Sequence, residues 1–109
     1  MAYDEGLAER VREVMADEPG LTEKRMFGGI AFMLDGNMAC GVSGDDLMLR
    51  VGTEGFDALL GEPGVRIFDM SGKPMKGWLL VSAEATSEDE DLAGWIARGV
   101  NFARSLPPK

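Results

Sequence analysis

A hydrophobic hairpin at residues 30–42 constrains the fold more than any other part of this sequence. Its centre is the dipeptide Asp35-Gly36, which lies between two runs of mostly apolar residues. Aspartate and glycine tolerate the positive φ angles that a two-residue type I′ turn requires. The sequence therefore predicts two antiparallel strands in which Phe32 pairs with Ala39.

A second reversal, at residues 43–46, predicts a third antiparallel strand at residues 47–51. Because successive side chains of a strand point to opposite sides, this register sorts the three strands into two faces. One face is wholly apolar, and we expect helices to cover it: Ala31, Met33, Met38, Cys40, Val42, Leu47, Leu49 and Val51. The other face mixes large apolar, small and polar side chains: Ile30, Phe32, Leu34, Asn37, Ala39, Gly41, Met48 and Arg50.

Three segments have the features of amphipathic helices. The first, at residues 4–17, has an apolar stripe at helical spacing: Leu7, Val11, Val14 and Met15. Thr53 is a candidate cap for a short second helix, and Ser87 with Glu90 forms a capping box at the start of the third. Gly99 lies in the apolar stripe of that third helix, where glycine costs about 1 kcal/mol relative to alanine. We therefore expect a close backbone approach at Gly99.

Two further strands, predicted at residues 65–68 and 77–82, complete the sheet. The element order is α-β-β-β-α-β-β-α, which predicts a two-layer α+β fold. In this fold, helices pack on a five-stranded antiparallel sheet. A length of 109 residues fits one domain, spanning residues 1–109.

The composition excludes several kinds of catalytic site. The chain has no histidine, so a Ser-His-Asp triad, a Cys-His dyad and histidine metal ligation are impossible within it. Its one cysteine, Cys40, rules out an internal disulfide and fits a reducing compartment. We expect Cys40 to pack as a small core residue, because no neighbour in sequence would lower the pKa of its thiol. The sequence thus predicts no catalytic residue, no metal and no cofactor.

Charge and hydropathy narrow the location and the partners. No segment approaches the ~18 apolar residues of a membrane span, and the first residues lack the features of a signal peptide. We therefore expect a cytoplasmic protein with no membrane contact. The net charge of -8 disfavours nucleic acid as a partner, although a local basic patch is compatible with it. The candidates for such an anionic-ligand patch are Lys24, Arg25, Lys73 and Lys76.

The mixed face of the sheet is the candidate protein interface. A two-layer domain leaves one face of its sheet without helices, and a large exposed apolar patch usually marks a binding surface. The predicted interface residues are Ile30, Phe32, Leu34, Met48 and Arg50. We expect either a homodimer or a different protein partner.

Three segments occur in a fixed order: the Arg-Met-Phe-Gly-Gly motif at residues 25–29, the Leu-Asp-Gly hairpin at 34–36, and the Gly-Lys-Pro-Met loop at 72–75 before Trp78. Together with the order of the elements, they resemble the TfoX N-terminal domain family, which includes the Sxy competence regulators. The structural positions of the motif are Phe27, Gly28, Gly29, Asp35 and Gly36. Because Gly28 and Gly29 lead into a strand, we interpret them as a turn or bulge, not as a phosphate loop.

The resemblance implies a five-stranded antiparallel sheet with packed helices, similar to secretion-chaperone-like domains. It also implies a role in regulating DNA-uptake competence, and it offers no catalytic residues. Members carry a second, helical domain, for which we expect no room within 109 residues. The predicted function is a non-enzymatic regulatory domain that acts through protein contacts. The alternative is a nucleic-acid-associated transcription or competence regulator that uses the basic patch.

Overall fold

The computed structural model describes residues 3–26, 28–70 and 73–108, except for the side chains at positions 26, 69–70 and 73–76. Three α-helices are present in this part of the chain: α1 (Glu5–Met15), α2 (Gly52–Leu59) and α3 (Asp89–Ser105). A short 3-10 helix, Ala83–Thr86, precedes α3. The strands are β1 (Leu21–Met26), β2 (Gly29–Leu34), β3 (Asn37–Ser43), β4 (Asp46–Arg50), β5 (Val65–Met70) and β6 (Lys73–Val81).

All six strands form one antiparallel sheet in the order β1-β2-β3-β4-β6-β5. The α+β class and the packing of helices on an antiparallel sheet are confirmed, but the prediction of five strands is wrong. The additional strand is β1, whose residues include Glu23, Lys24 and Arg25. An edge strand needs little apolar surface. Among the described side chains of β1, Leu21 alone packs against the core. The strand therefore lacks the alternation of apolar and polar residues that identifies a strand in a sequence.

Both predicted reversals are present. Asp35 and Gly36 have φ angles of 52° and 86°, as a type I′ turn requires. Ser43 pairs with Asp46 across the second turn, so Gly44 and Asp45 alone connect β3 to β4. Local turn chemistry therefore determines where the chain reverses.

The predicted register between β2 and β3 is wrong by one residue over most of its length. Met33 does pair with Met38, but Phe32 pairs with Cys40, so Ala39 is the additional residue of a β-bulge. All of β2 therefore lies with its faces exchanged relative to the prediction, and so does Met38 of β3, whereas Cys40 and Val42 keep their predicted face.

This bulge moves three predicted interface residues under the helices. The main core combines side chains from all three helices with Ile30, Phe32 and Leu34 of β2. These three residues are 4%, 0% and 1% exposed, so their predicted placement on the helix-free side of the sheet is wrong. Conversely, Ala31, Met33 and Met38, which we expected under the helices, belong to a second cluster that contains only strand residues. Ala39, expected on the mixed face, is part of the main core.

The packing of α1 follows its predicted stripe with one exception. Leu7, Val11 and Met15 of α1 are buried, but Val14 is 40% exposed, so its predicted burial is wrong. On α3, a Cβ atom added to Gly99 would lie 2.2 Å from the carbonyl oxygen of Ala39. The predicted close approach at Gly99 is therefore confirmed.

The two predicted side-chain caps do not form. The N-cap of α2 is Val51 and not Thr53, and it makes no side-chain hydrogen bond. The N-cap of α3 is Glu88, while the hydroxyl of Ser87 donates to the carbonyl oxygen of Glu84. The 3-10 helix that ends just before Ser87 explains this difference, because Ser87 bonds back to it and not forward into α3.

Candidate interaction surface on the helix-free face of the sheet

The side of the sheet opposite α1, α2 and α3, here called the helix-free face, has a small core of its own. Ala31, Met38, Met48 and Phe68 form a buried cluster there, and no residue of this cluster comes from a helix of the described chain. Within the described part of the chain, this second cluster is therefore packed by strand residues.

Two methionines fill the centre of this face. A Cβ atom added to Gly41 would lie 2.7 Å from the terminal methyl carbon of Met48 and 3.1 Å from that of Met38. Both methyl groups thus pack on the bare backbone of Gly41, and Met48 is 0% exposed although no described helix covers it. Met48 lies on the predicted side of the sheet, but it is buried beneath the surface residues and is not itself exposed to a partner. Unbranched methionine side chains suit such irregular packing.

Above this layer lies a set of half-buried side chains, here called the apolar patch: Met33, Trp78 and Leu80. The rings of Trp78 and Phe68 are 6.1 Å apart between centroids and tilted by 44°. The sequence prediction did not include Met33, Trp78 or Leu80 in the interface. The sequence does contain one signal for this patch. Trp78 and Leu80 are two residues apart in a predicted strand, and such residues share a face of the sheet.

Arg50 lies at the end of the sheet, next to the apolar patch. Its register partner on β6 is Trp78, and its guanidinium carbon lies 5.4 Å from the centroid of the Trp78 ring. The same carbon lies 5.3 Å from the ring of Phe102 on α3, so Arg50 reaches both layers of the fold. Within the described residues, no carboxylate forms an ion pair with Arg50 and no hydrogen bond of its guanidinium is present. Arg50 is one of the predicted interface residues.

The predicted basic patch is not assembled by the residues whose side chains are described. Lys24 pairs with Ala31 and Arg25 with Ile30, so the two side chains leave β1 on opposite sides of the sheet. Lys24 belongs to the helix-free face, and Arg25 belongs to the helical side. The side chains of Lys73 and Lys76 lie outside the described part of the structure, and so does Phe27 of the motif.

A third described basic residue on the helix-free face, besides Lys24 and Arg50, is Arg66 of β5, which pairs with Leu80. It forms an ion pair with Asp46, at 2.6 Å, across the intervening strand β6. Both side chains are partly exposed, so this pair contributes little to stability and still leaves guanidinium donors at the surface.

The glycines of the motif have structural roles. Gly28 has a φ angle of 73°, and a Cβ atom at Gly29 would lie 1.9 Å from the carbonyl oxygen of Val42. Gly29 is thus required for close pairing of β2 with β3. The interpretation of this dipeptide as part of a turn into a strand agrees with the bounds of β2.

Cys40 is buried in the main core, and burial raises the pKa of its thiol to about 12. Its sulfur atom lies 3.5 Å from that of Met15. Almost no thiolate therefore exists at neutral pH, and the predicted packing role of Cys40 is consistent with this environment.

The helical layer has a depression of about 420 Å³ beside Trp95 and Arg98. Three carboxylates also line it, on Glu62, Glu90 and Asp91, so the depression combines acidic groups with the basic Arg98 and indicates no particular class of ligand.

Among the described residues, no three histidine, cysteine or acidic side chains are grouped to hold a metal ion. In the same part of the chain, no helix combines the length and apolarity needed to cross a bilayer.

The fold and this surface define an α+β domain in which an antiparallel sheet has helices on one side and, on the other, the apolar patch above a buried cluster that contains Met38 and Met48. The model of the TfoX N-terminal domain matches residues 13–103, which is most of the chain. The chain belongs to the TfoX N-terminal domain family. Comparison with curated proteins and with solved structures gave no significant match.

Proposed function

We propose that this chain is a non-enzymatic regulatory domain that acts through protein–protein contacts of its helix-free face. The observation that carries this proposal is the half-buried apolar patch, which stands on a buried methionine layer where no described helix packs. Membership in the TfoX N-terminal domain family supports a regulatory role of the competence type.

The residue chemistry supports a function in binding over one in catalysis. The chain has no histidine to act as a general base near neutral pH. Its one thiol is buried with a raised pKa, so it is a poor nucleophile. A cytoplasmic location is part of the proposal, because a free cysteine is stable in a reducing compartment.

Site-specific photo-crosslinking tests the proposal. A photoreactive amino acid replaces Leu80 on the helix-free face, and the control replaces Ala97, which is exposed on α3. In extract of the source cells, we expect discrete adducts from position 80 and none of the same mass from position 97. Excess unlabelled wild-type protein should compete for these adducts, whereas excess Leu80→Glu protein should not. The absence of adducts at position 80, or identical adducts at both positions, would refute the proposal.

The adduct mass also separates a homodimer from a different partner. An adduct of twice the chain mass indicates a second copy, and sedimentation of the purified protein at several concentrations should then show a dimer. Any other mass identifies a different protein.

A nucleic-acid-associated regulator is the alternative function, and a salt titration distinguishes it. Binding through phosphate contacts weakens steeply as salt rises, because counterions are released on binding. The alternative predicts such a slope in fluorescence anisotropy with single-stranded and duplex oligonucleotides, and it predicts a smaller slope for Lys24→Ala. Salt-independent absence of binding at micromolar protein would exclude this alternative.

A further inference from the structure

We propose that the helix-free face binds an acidic peptide segment of a protein partner, with Arg50 holding a carboxylate of that segment and the apolar patch taking an adjacent apolar side chain. This inference rests on the proposed function and specifies the chemistry of the partner.

Arg50 has the features of a preorganised carboxylate-binding group. Its guanidinium contacts two aromatic rings, those of Trp78 and Phe102, and these contacts restrict its position. Its side chain forms no ion pair within the described residues, although Arg10, Arg12, Arg66 and Arg104 all do. A guanidinium that is held in place, and whose donors make no hydrogen bond or ion pair with the described residues, matches the bidentate geometry of a carboxylate.

The charge distribution directs an acidic segment to this face. The whole chain carries a net charge of -8. Acidic residues outnumber basic ones on the three helices, and the acids are Glu5, Glu9, Glu13, Glu54, Asp57, Asp89, Glu90 and Asp91. The described charged side chains of the helix-free face are instead Lys24, Arg50, Arg66 and Asp46, so basic residues predominate there. The helical side therefore repels an acidic segment, and the helix-free face attracts it.

The apolar patch favours a peptide over a nucleic acid. Single-stranded nucleic acids bind through several aromatic platforms inside a strongly basic groove. Here Trp78 is the one aromatic side chain among the three residues of the patch, and Met33 and Leu80 offer aliphatic surface. Such surface suits leucine, isoleucine, methionine or phenylalanine side chains of a peptide.

The register defines the spacing that the peptide must have. Arg50 is opposite Trp78, and Leu80 lies two residues further along β6. Two residues of an extended strand span about 6.6 Å, which is also the distance between alternate side chains of an extended peptide. We therefore expect an acidic residue two positions from an apolar residue in the bound segment.

Selection from a phage library of random twelve-residue peptides on the full chain tests this inference. The peptides recovered should be enriched in Asp or Glu two positions from Leu, Ile, Met or Phe. A synthetic peptide of the recovered sequence should bind at least tenfold more weakly to Arg50→Gln. It should also bind several-fold more weakly to Arg50→Lys, which keeps the charge but loses the planar fork.

Arg98→Gln is the matched control. Arg98 also lies over an aromatic ring, at 5.8 Å from the centroid of Trp95, but it is exposed on α3 in the helical layer. Peptide affinity should be unchanged in this variant. Circular dichroism of each variant verifies that it is folded, and Arg50→Lys provides the comparison if Arg50→Gln is unfolded.

Four results would overturn the inference: no peptide is recovered, the recovered peptides lack acidic residues, Arg50→Gln and Arg50→Lys bind them as the wild type does, or Arg98→Gln weakens binding equally. Displacement of the peptide by a thymidine oligonucleotide at equal concentration would also overturn it, in favour of nucleic acid. The crosslink at position 80 separates this inference from the proposed function. If that crosslink persists in Arg50→Gln, the face still binds a protein, but it does not do so through a carboxylate on Arg50.

Discussion

Gly99 provides the sharpest test of how α3 packs on the sheet. Replacing a helical glycine with alanine usually stabilises a helix by about 1 kcal/mol. At Gly99, however, the new Cβ atom would lie 2.2 Å from the carbonyl oxygen of Ala39 and 3.0 Å from a methyl carbon of Leu49. The nearer of these atoms belongs to the backbone of β3, which has no rotamer to change. Gly99→Ala therefore forces α3 to withdraw from the sheet by about 1 Å, which opens gaps along their whole contact.

Gly94 of the same helix is the matched control, because a Cβ atom there would meet nothing within 4 Å. The gain in helix propensity is common to Gly94→Ala and Gly99→Ala, so the difference between the two variants isolates the steric cost. Overpacking of a core costs about 1–3 kcal/mol, and a clash with backbone belongs at the upper end. We expect Gly94→Ala to be stabilised by up to about 1 kcal/mol. Gly99→Ala should be destabilised by about 2 kcal/mol, which follows from the overpacking cost less the propensity gain.

Equilibrium unfolding in urea, followed by far-ultraviolet circular dichroism, measures both variants. A difference of about 3 kcal/mol corresponds to a difference in Tm of roughly 12 °C for a chain of this size. The dependence of the unfolding free energy on urea should be the same in both variants, which shows that the denatured state is unchanged. If the two variants differ by less than about 0.5 kcal/mol, the close approach of α3 to Ala39 is refuted.

Two further predictions concern the main core. Phe32→Ala should destabilise the fold by about 3–5 kcal/mol in urea unfolding, because it removes a fully buried ring, whereas Met33→Ala on the helix-free face should cost much less; equal effects would contradict the β-bulge register. The thiol of Cys40 should react with a disulfide reagent at pH 8 only when the protein is unfolded. Because burial raises the pKa of Cys40 from 9.0 to about 12, folding favours the protonated thiol, so its contribution is intact below pH 9 and is lost between pH 9 and 12. The stability advantage of wild type over Cys40→Ala should therefore shrink from pH 8 to pH 10.5, and a constant difference would show that the thiol is accessible to water.

The turns and one helix contact could be predicted from the sequence because their causes are local. Asp35-Gly36 requires positive φ angles wherever the rest of the chain lies, and both angles are observed. Gly99 is unfavourable in a helix unless packing demands it, and its position against Ala39 supplies that demand. In both cases the residue type at one position is compatible with few local structures, so the sequence alone indicates which one forms.

The register of the hairpin could not be predicted, because its cause is tertiary. Ala39 fits either face of a sheet, so no residue of β3 indicates a bulge. With the bulge, the larger side chains of Phe32 and Leu34 fill the space under the helices. Without it, Ala31 and Met33 would occupy that space. The volume between the sheet and the three helices thus favours the bulged pairing. The alternation of residues along a strand contains no information about that volume.

The candidate surface was predicted in location but not in composition. Met48 and Arg50 lie on the helix-free face or at its end, as expected, because β4 keeps its predicted register with β3. Trp78 and Leu80 join them through the pairing of β4 with β6, which are separated in sequence by α2 and β5. A sequence offers little guidance to such a non-local pairing. The spacing of Trp78 and Leu80 indicates that they share a face, but only the structure places that face beside Met48 and Arg50.

The helix-free face has the character of a reversible binding surface more than that of a permanent interface. Permanent interfaces are large and resemble a domain core cut in half, so the separated subunit exposes extensive apolar area. Here Met38 and Met48 are already buried within the monomer, and Met33, Trp78 and Leu80 are half-buried. The monomer thus already buries most of the apolar side chains of this face, and a partner would complete the burial of a few of them. A contact of that size needs an additional source of specificity. We assign that role to Arg50, because an apolar patch of this kind does not distinguish one partner from another, whereas a fixed guanidinium does.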